Sequence, residues 1–322
     1  MNNHSSDPFP KRPRLIFMGT PEFAVPTLEA LIREGYDIPT VVSQPDRPKG
    51  RGKKLTAPPV KQLALDYGIE VLQPEKVSDP AFCDLIRARE PDLILVVAFG
   101  QLLRKNLLDI PGWGVINIHG SLLPRYRGAA PIQRAVLENE SRTGLTIMLM
   151  DEGMDTGPIL FQEEVPIEPE ETAGHLHDRL ALLAGDLMVR SLRRMAGVPL
   201  RPLPQDDALA SYAPKIDREM ARIDWNREAP RVSSLIRALD PRPGAVTLLD
   251  GKEIKVFSSR VARESRPDTV PGRIAHSEEG LVVEAGEGAV EIREIQYPGK
   301  KRMPVPDFLR GFPLPGGVVL GR

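Results

Sequence analysis

The sequence predicts two domains, an open twisted α/β sheet followed by a smaller β-rich domain. Three observations predict this organisation. In the first part of the chain, short apolar runs alternate with amphipathic segments of helical period, as in sheets that are covered by helices. Residues 198–214 then carry four prolines. From residue 215 onward, short β-like runs are separated by Gly, Asp and Pro, which is typical of a small barrel or sandwich.

Apolar runs predict the strands of the first domain. The run at 92–98 is almost unbroken, which is typical of a central parallel strand buried on both faces. Leucines at helical spacing predict a long helix over 176–192, and shorter amphipathic segments predict helices at 22–34, 60–67 and 81–88. The predicted strands are 14–18, one containing Val41 and Val42, 69–72, 92–98, 115–118 and 145–150.

The proline-rich stretch is interpreted as an interdomain linker. A helix is predicted at 229–239 in the domain that follows it. The strands predicted there are 246–249, 254–257, 272–274, 281–283 and 290–293. The chain therefore divides into a polar N-terminal extension (1–13), an α/β domain (14–197), the linker (198–214) and a C-terminal domain (215–322).

Bulk composition narrows the class of protein without indicating a function. The 322 residues are 41% hydrophobic and 27% charged, with a formal net charge of -1. A single cysteine, Cys83, excludes an internal disulfide and a cysteine-rich metal cluster, and its amphipathic context predicts a core thiol. No run approaches the ~18 apolar residues that span a bilayer. Because residues 1–13 also lack an apolar run, we expect a cytoplasmic protein without a secretory signal.

An amide and an imidazole lie at the end of the predicted strand 115–118. Asn117 and His119 are two residues apart and project from the same face, at the strand end where open α/β sheets bind ligands. The acidic loop after the next strand contains Asp155. Together the three groups suit acyl transfer through a tetrahedral intermediate. A structural histidine, a turn-forming asparagine and a capping aspartate are the alternatives that residue type alone leaves open.

The motifs around these residues resemble the folate-dependent formyltransferases. The resemblance depends on Asn117-x-His119 followed by Gly-Ser-Leu-Leu-Pro, with Asp155-Thr-Gly about 35 residues later. It covers residues 14 to about 312 and implies a Rossmann-like sheet with a C-terminal barrel that resembles an OB-fold. It also implies that Asn117, His119 and Asp155 are the catalytic residues. The residues implied to line the reduced-folate site are Ser121, Leu122, Leu123 and Pro124.

The reaction implied by the resemblance is transfer of the formyl group of 10-formyltetrahydrofolate to an amine. The amine would attack the formyl carbon while Asn117 and His119 stabilise the developing oxyanion. Asp155 would support His119 and assist proton transfer, and no metal is implied. The segment that follows the first strand, Gly-Thr-Pro-Glu-Phe, is not a G-x-G-x-x-G motif, which argues against a nicotinamide cofactor.

A basic segment indicates which amine is formylated. Five positive charges fall within residues 47–54, where glycines and prolines predict a mobile loop rather than a helix. A solvated loop is one interpretation, but phosphate backbones attract such segments, and the tRNA-directed branch of the family has a basic insertion here. The resemblance therefore implies methionyl initiator tRNA as the acceptor and a role in translation initiation. The candidate tRNA contacts are Arg47, Lys49, Arg51, Lys53 and Lys54.

Other assignments stay open at this point. A sugar-nucleotide formyltransferase shares the His119 loop but has no use for the basic segment, and a non-catalytic RNA-binding protein is the alternative from another class. Arg125 and Arg127 either position a ligand or serve the structure of their loop. Lys300-Lys301-Arg302 either contacts tRNA or forms a solvated turn. We expect a monomer, because the site is complete in one chain.

Overall fold

The structure, a computed structural model, describes residues 8–49, 54–262, 270–276, 280–315 and 317–321. Contacts between Cα atoms divide the described chain into two compact units. The first unit lies within Met1–Gly128, Gly144–Glu164 and His177–Tyr212, and the second lies within Ala129–Thr143, Val165–Leu176 and Ala213–Arg322. The boundaries predicted after residues 13, 197 and 214 stay predictions. None of the described helices has the length and apolarity needed to cross a membrane.

A mainly parallel sheet organises the first unit. The strands up to residue 166 are β1 (Arg14–Gly19), β2 (Asp37–Val42), β3 (Arg47–Lys49), β4 (Lys54–Thr56), β5 (Glu70–Leu72), β6 (Leu93–Val97), β7 (Val115–His119), β8 (Arg142–Leu149) and β9 (Ile159–Pro166). Seven of them form one sheet in the order β5-β2-β1-β6-β7-β8-β9. The pairings from β5 to β7 are parallel, and β8 is antiparallel to β7. The strand order reverses between β1 and β6, which is where open α/β sheets bind ligands.

Six helices and a short 3₁₀ turn are found in the described chain up to residue 195, and the fifth of these helices lies in the second unit. The helices up to residue 195 are α1 (Val25–Arg33), α2 (Pro59–Asp66), α3 (Pro80–Arg87), α4 (Lys105–Leu108), α5 (Pro131–Leu137) and α6 (Ala173–Met195). Proline occupies the first turn of α1, α2, α3 and α5, where its missing N–H is not needed. The helix predicted at 22–34 is divided: a 3₁₀ turn over Glu22–Ala24 precedes α1.

Cys83 lies on the core side of α3. The helix begins at the cap Asp79, whose carboxylate accepts a hydrogen bond from the Ala81 amide. Phe82, Cys83 and Ile86 then pack in a core cluster that includes residues of β1 and β6. Cys83 is 2% exposed, and burial raises the pKa of its thiol. The cysteine is therefore a core residue, as its sequence context predicts.

The second unit contains an antiparallel sheet around its own core. Its remaining elements are α7 (Ala229–Leu239), β10 (Ala245–Leu249), β11 (Lys252–Val261), β12 (Ile274–His276), β13 (Leu281–Glu284), β14 (Ala289–Gln296), β15 (Met303–Pro304) and α8 (Val305–Gly311). The strands lie in the order β10-β11-β14-β13-β12, and β15 pairs with β14. Apolar residues of α7, α8 and the strands share one core cluster. The predicted fold class, a Rossmann-like sheet plus a smaller β domain resembling an OB-fold, is confirmed.

Several elements lack a clear signal in the sequence. The strand β9 alternates only weakly, because the charged Glu163 occupies one of its partly buried positions. The helices α4, α5 and α8 are too short to display a helical period. The flanks of the basic segment pair as an antiparallel two-stranded ribbon, β3 with β4, where a loop is expected from composition. The helix predicted at 229–239 matches α7 at both ends.

A buried carboxylate and a guanidinium connect separate parts of the second unit. Arg302 donates to both oxygens of Asp240, at 2.5 and 3.1 Å, and also to Glu294. The Ser258 amide donates to the same Asp240 carboxylate at 3.0 Å. The Arg302 guanidinium lies 4.3 Å from the centre of the Phe257 ring. Burial lowers the pKa of Arg302, but the hydrogen bonds to Asp240 and Glu294 outweigh burial, so the pKa is raised.

We predict that Arg302→Met destabilises the second unit, because the Asp240 carboxylate is 4% exposed and loses its main partner. The expected loss is about 1–3 kcal/mol of unfolding free energy, below that of a fully buried pair because Arg302 is partly exposed. Urea unfolding followed by Trp225 fluorescence, in a Trp113→Phe background that removes the other tryptophan, measures it.

Arg310→Met is the matched control, since Arg310 pairs with Asp307 on the surface of the same unit. We expect no measurable change from this control. Equal stability of the Arg302 and Arg310 variants would contradict a structural role for the Asp240–Arg302 pair.

Candidate active site

Strand β7 delivers an amide and an imidazole to its carboxyl end. Every residue of β7 is buried, which explains why its sequence is apolar except for Asn117 and His119. These two side chains are 9% and 6% exposed. Burying a polar group costs free energy unless a partner or a ligand satisfies its hydrogen bonds. The hydrogen-bond partners of Asn117 and His119 therefore indicate their roles.

The imidazole of His119 is oriented by a backbone carbonyl. Its Nε2 atom lies 2.8 Å from the carbonyl oxygen of Tyr126. Because a carbonyl oxygen only accepts hydrogen bonds, Nε2 carries the hydrogen and donates a hydrogen bond to the Tyr126 carbonyl. The other ring nitrogen, Nδ1, lies 3.6 Å from the Asp155 carboxylate. In neutral His119 this tautomer leaves a lone pair on Nδ1, the nitrogen that faces the carboxylate, and this lone pair is available to accept a proton.

The carboxylate of Asp155 is held by the Gly128 amide and by the packing of its own loop. It is 16% exposed, and its Oδ2 atom accepts a hydrogen bond of 2.8 Å from the Gly128 amide. The residue adopts a left-handed backbone, with φ of 55°. The neighbouring Gly157 has no room for a side chain, because a Cβ atom there would lie 1.8 Å from the Leu149 carbonyl oxygen. The loop is thus packed tightly against the end of β8 and holds the carboxylate beside His119.

The side-chain amide of Asn117 differs from the imidazole of His119 in its hydrogen bonding. Within the described ranges of the chain, no hydrogen bond to that amide is found, whereas the neighbouring His119 has two polar neighbours. The Asn117 amide supplies N–H donors at the strand end where His119 also lies. Donors placed at the site of a developing negative charge are what oxyanion stabilisation requires.

The predicted folate loop is held by polar contacts within the protein. Ser121 donates to the Arg125 carbonyl at 2.6 Å, and the Thr146 hydroxyl links the Ser121 carbonyl to the Leu123 amide. Ser121 and Leu123 are buried, whereas Leu122 and Pro124 are partly exposed. Contact of a reduced folate with Ser121 to Pro124 stays a prediction, in which Leu122 and Pro124 are the more accessible surfaces.

A cavity of about 490 Å³ opens at the carboxyl ends of β1, β2 and β6. Its wall includes Thr20 after β1, Gln44 and Arg47 after β2, and Phe99 after β6. The Thr20 hydroxyl donates to the Phe99 carbonyl at 2.9 Å and accepts from the Gln44 amide at 3.3 Å, which links the three loops. The side-chain Nε2 of Gln44 is buried without a hydrogen-bond partner. The cavity therefore lies at the topological switch point and presents an unsatisfied donor.

The basic segment begins at the same cavity. Arg47 and Lys54 are the predicted tRNA contacts whose side chains the structure describes, and both are exposed on the β3–β4 ribbon. Only the backbone of Lys49 is described, and Arg51 and Lys53 lie outside the described residues. At the base of the ribbon, hydrogen bonds from Gln73 and Lys61 hold the pKa of the Asp46 carboxyl below its ordinary value.

In each of the two remaining basic motifs, one arginine is held by polar groups of the protein itself. Arg127 is buried and donates to Gln205 and Asp207, which favours the structural interpretation of that arginine. Arg302 is engaged by Asp240 and Glu294, so Lys300 and Lys301 are the exposed cations of their motif. Contact of these lysines with tRNA stays a prediction.

Two backbone groups of the site have no counterpart in the sequence motifs. The Tyr126 carbonyl fixes His119 and the Gly128 amide binds Asp155, although neither side chain takes part in these bonds. Backbone groups carry no residue-type signal, so no motif predicts them. Gln205, which binds the carbonyl oxygens of Asp155 and Gly157, lies in the segment interpreted as a linker.

Comparison with known proteins gives consistent matches along the chain. Residues 13–192 match the family described as Formyl transferase, and residues 215–313 match Formyl transferase, C-terminal domain. The chain is 52% identical to the methionyl-tRNA formyltransferase of Syntrophus aciditrophicus (strain SB), over 95% of this chain and 98% of that protein. It is 50% identical to the methionyl-tRNA formyltransferase of Geobacter sulfurreducens (strain ATCC 51573 / DSM 12127 / PCA), over 96% of each.

Solved structures give a more distant likeness. WlaRD, a sugar 3N-formyl transferase crystallised in the presence of dTDP and 5-N-formyl-THF, matches with a TM-score of 0.67 and 20% identity. The match covers 89% of this chain and 98% of that chain. At this level of identity the likeness shows the shared fold alone.

Proposed function

This chain belongs to the formyltransferase family and is a transferase, and from that premise we propose that it moves the formyl group of 10-formyltetrahydrofolate to the amino group of methionyl initiator tRNA. The observation that carries the proposal is the placement of Asn117 and His119 at the end of β7, with Asp155 3.6 Å from the imidazole. Relatives that are 50% and 52% identical over nearly the whole chain are named methionyl-tRNA formyltransferases, which supports the tRNA acceptor. The product would serve translation initiation.

The first step is attack of the methionyl amine on the formyl carbon. A C–N bond forms, and the carbonyl electron pair moves to the formyl oxygen. The free amide of Asn117 donates to this oxyanion, and protonated Nδ1 of His119 is the second donor. The N–H of Nε2 is committed to the Tyr126 carbonyl, so only Nδ1 exchanges protons.

The second step is collapse of the tetrahedral intermediate. The amine releases a proton to the Asp155 carboxylate, directly or through water, because both ring nitrogens of His119 already carry protons, and the carbonyl re-forms as the C–N bond to the folate breaks. The folate nitrogen takes up a proton in return. During the attack, the Asp155 carboxylate lies 3.6 Å from Nδ1 and keeps the ring in place beside the reacting atoms.

The acceptor enters, in this proposal, along the side of the cavity at β1, β2 and β6. The buried Nε2 of Gln44 in its wall lacks a partner, and Arg47 lines the same cavity at the start of the β3–β4 ribbon. A ligand whose polar end lies in the cavity would accept a hydrogen bond from Gln44, and its phosphates, continuing along the ribbon, would pair with Arg47. The proposal takes the chain to act as a monomer, with tRNA and reduced folate as its partners.

The decisive experiment offers competing acceptors with 10-formyltetrahydrofolate as the donor. Methionyl initiator tRNA, methionyl elongator tRNA and an amino-sugar nucleotide are supplied together, and the formylated products are separated. Preferential formylation of the initiator tRNA is expected. Transfer to the sugar nucleotide alone would overturn the acceptor and favour the sugar-nucleotide alternative, and formate release without transfer would overturn the transferase chemistry.

We predict that His119→Ala lowers kcat by roughly 10²- to 10⁴-fold, because general acid–base catalysis contributes factors of that size. His175→Ala is the matched control, since His175 is an exposed histidine on α6. Circular dichroism and the thermal midpoint check that both variants fold. Unimpaired turnover of the His119 variant would remove this residue from catalysis.

We predict that neutralising the ribbon weakens tRNA binding and reduces its salt dependence. In Arg47→Gln/Lys54→Gln, the slope of log K against log salt should fall by roughly 1 to 2, because each lost phosphate contact removes about 0.7–0.9. The control is Arg87→Gln/Lys105→Gln, which removes two exposed cations of α3 and α4. An unchanged slope in the ribbon variant would favour the solvated-segment interpretation.

A further inference from the structure

We propose that Gln205, held in orientation by Arg127, is a positioning residue that keeps Asp155 opposite His119. The inference deepens the proposed function, because it takes Asp155 to act in catalysis. Gln205 lies in the proline-rich segment that the sequence predicts to be a linker, and no motif singles it out. Its contacts, all within the first unit, give it a defined role.

The side-chain amide of Gln205 holds the backbone of the Asp155 loop at two points. Its Nε2 atom donates to the Asp155 carbonyl at 2.8 Å and to the Gly157 carbonyl at 2.7 Å. An amide nitrogen has two N–H groups, so both are used. The two carbonyls lie on either side of Thr156, and the first belongs to the residue with a φ of 55°. Gln205 therefore fixes the loop where the backbone is in a sparsely populated conformation.

Arg127 determines which end of the Gln205 amide faces the loop. Its Nε and Nη2 atoms donate to the Gln205 Oε1 atom at 3.1 and 2.8 Å. A guanidinium only donates, so the oxygen of the amide must face Arg127 and the nitrogen must face the two carbonyls. Arg127 is 2% exposed, and its Nη2 atom also donates to Asp207 at 2.8 Å. A buried, charged donor thus holds the amide in one orientation.

The same segment contacts the loop that orients His119. The Tyr126 amide donates to the Ser211 hydroxyl at 2.9 Å, and the Arg127 amide donates to the Ser211 carbonyl at 2.8 Å. Tyr126 is the residue whose carbonyl binds Nε2 of His119. Residues 205–211 therefore contact both loops that place the catalytic pair.

This arrangement matters because the His119–Asp155 distance is not fixed by a direct bond. The two groups lie 3.6 Å apart, and among the described residues the hydrogen bond to the Oδ2 atom of Asp155 comes from the Gly128 amide. Without the Gln205 amide, the carbonyls of Asp155 and Gly157 would lose their side-chain hydrogen-bond donors, and the position of the loop would be less well fixed. Misplacement of a catalytic group by about 1 Å costs on the order of 10²-fold in rate.

The test is Gln205→Met, which keeps the length of the side chain and removes its donors. We expect kcat, measured well below the thermal midpoint, to fall roughly 10- to 100-fold with little change in KM for tRNA or folate. The midpoint itself should drop, because the buried Arg127 loses an acceptor. Gln62→Met is the matched control, because Gln62 bonds only to Asp66 on the exposed side of α2. Gln205→Glu, which places an acceptor against the two carbonyls and keeps an oxygen for Arg127, should lower kcat at least as much.

The readout that separates positioning from general stability is a double variant. In an Asp155→Asn background, adding Gln205→Met should cause no further fall in kcat, because both changes act through one group. An equal fall in both backgrounds would overturn the positioning role, and so would a fall in kcat that appears only near the thermal midpoint of the variant. If Asp155→Asn lowers kcat and Gln205→Met does not, this inference fails and the proposed function stands. Full activity of Asp155→Asn would overturn the role of Asp155 and this inference with it.

Discussion

The hydrogen bond from His119 Nε2 to the Tyr126 carbonyl is the interaction on which the rest of the site depends. It commits one ring nitrogen and leaves Nδ1 as the atom that faces Asp155, so the proposed mechanism assigns proton exchange to Nδ1. A carbonyl is a suitable partner because it cannot change its role as acceptor, whatever the protonation state of the ring. The chemistry of the imidazole is thereby set by backbone geometry, and the loop that carries Tyr126 becomes part of the active site although its side chains need not touch a substrate.

The sheet provides the frame for this arrangement. Because β6 and β7 are buried on both faces and pair in parallel, their carboxyl ends lie side by side and open toward one edge. Asn117 and His119 lie at this edge at the end of β7, and the loops that follow β6 and β1 form part of the cavity wall there. The two parts of the proposed reaction, proton transfer and placement of the acceptor, are therefore next to each other without any long loop between them.

Much of this organisation could be predicted from the sequence, for reasons that differ between elements. Strands β1 and β6 are nearly unbroken apolar runs, and helix α7 is long enough to display a helical period, so their positions follow from apolar patterning. Asn117 and His119 are visible as polar residues at a strand end, whereas Asp155 needs the family motif. Arg127 and Gln205 are 78 residues apart, and the prolines around Gln205 indicate a linker, so their pairing becomes visible only in three dimensions.

Burial of Cys83 has a practical consequence for studying this protein in solution. It is the single cysteine of the chain, it is 2% exposed, and its hydrogen-bond partner is the Val77 carbonyl in the core. Because the raised pKa keeps it as a thiol, it reacts slowly with maleimides, which require an accessible thiolate. A cysteine introduced at Lys54 or Met154 can therefore be labelled selectively with a fluorophore or spin label in the native background, so ribbon and loop movements can be followed during turnover.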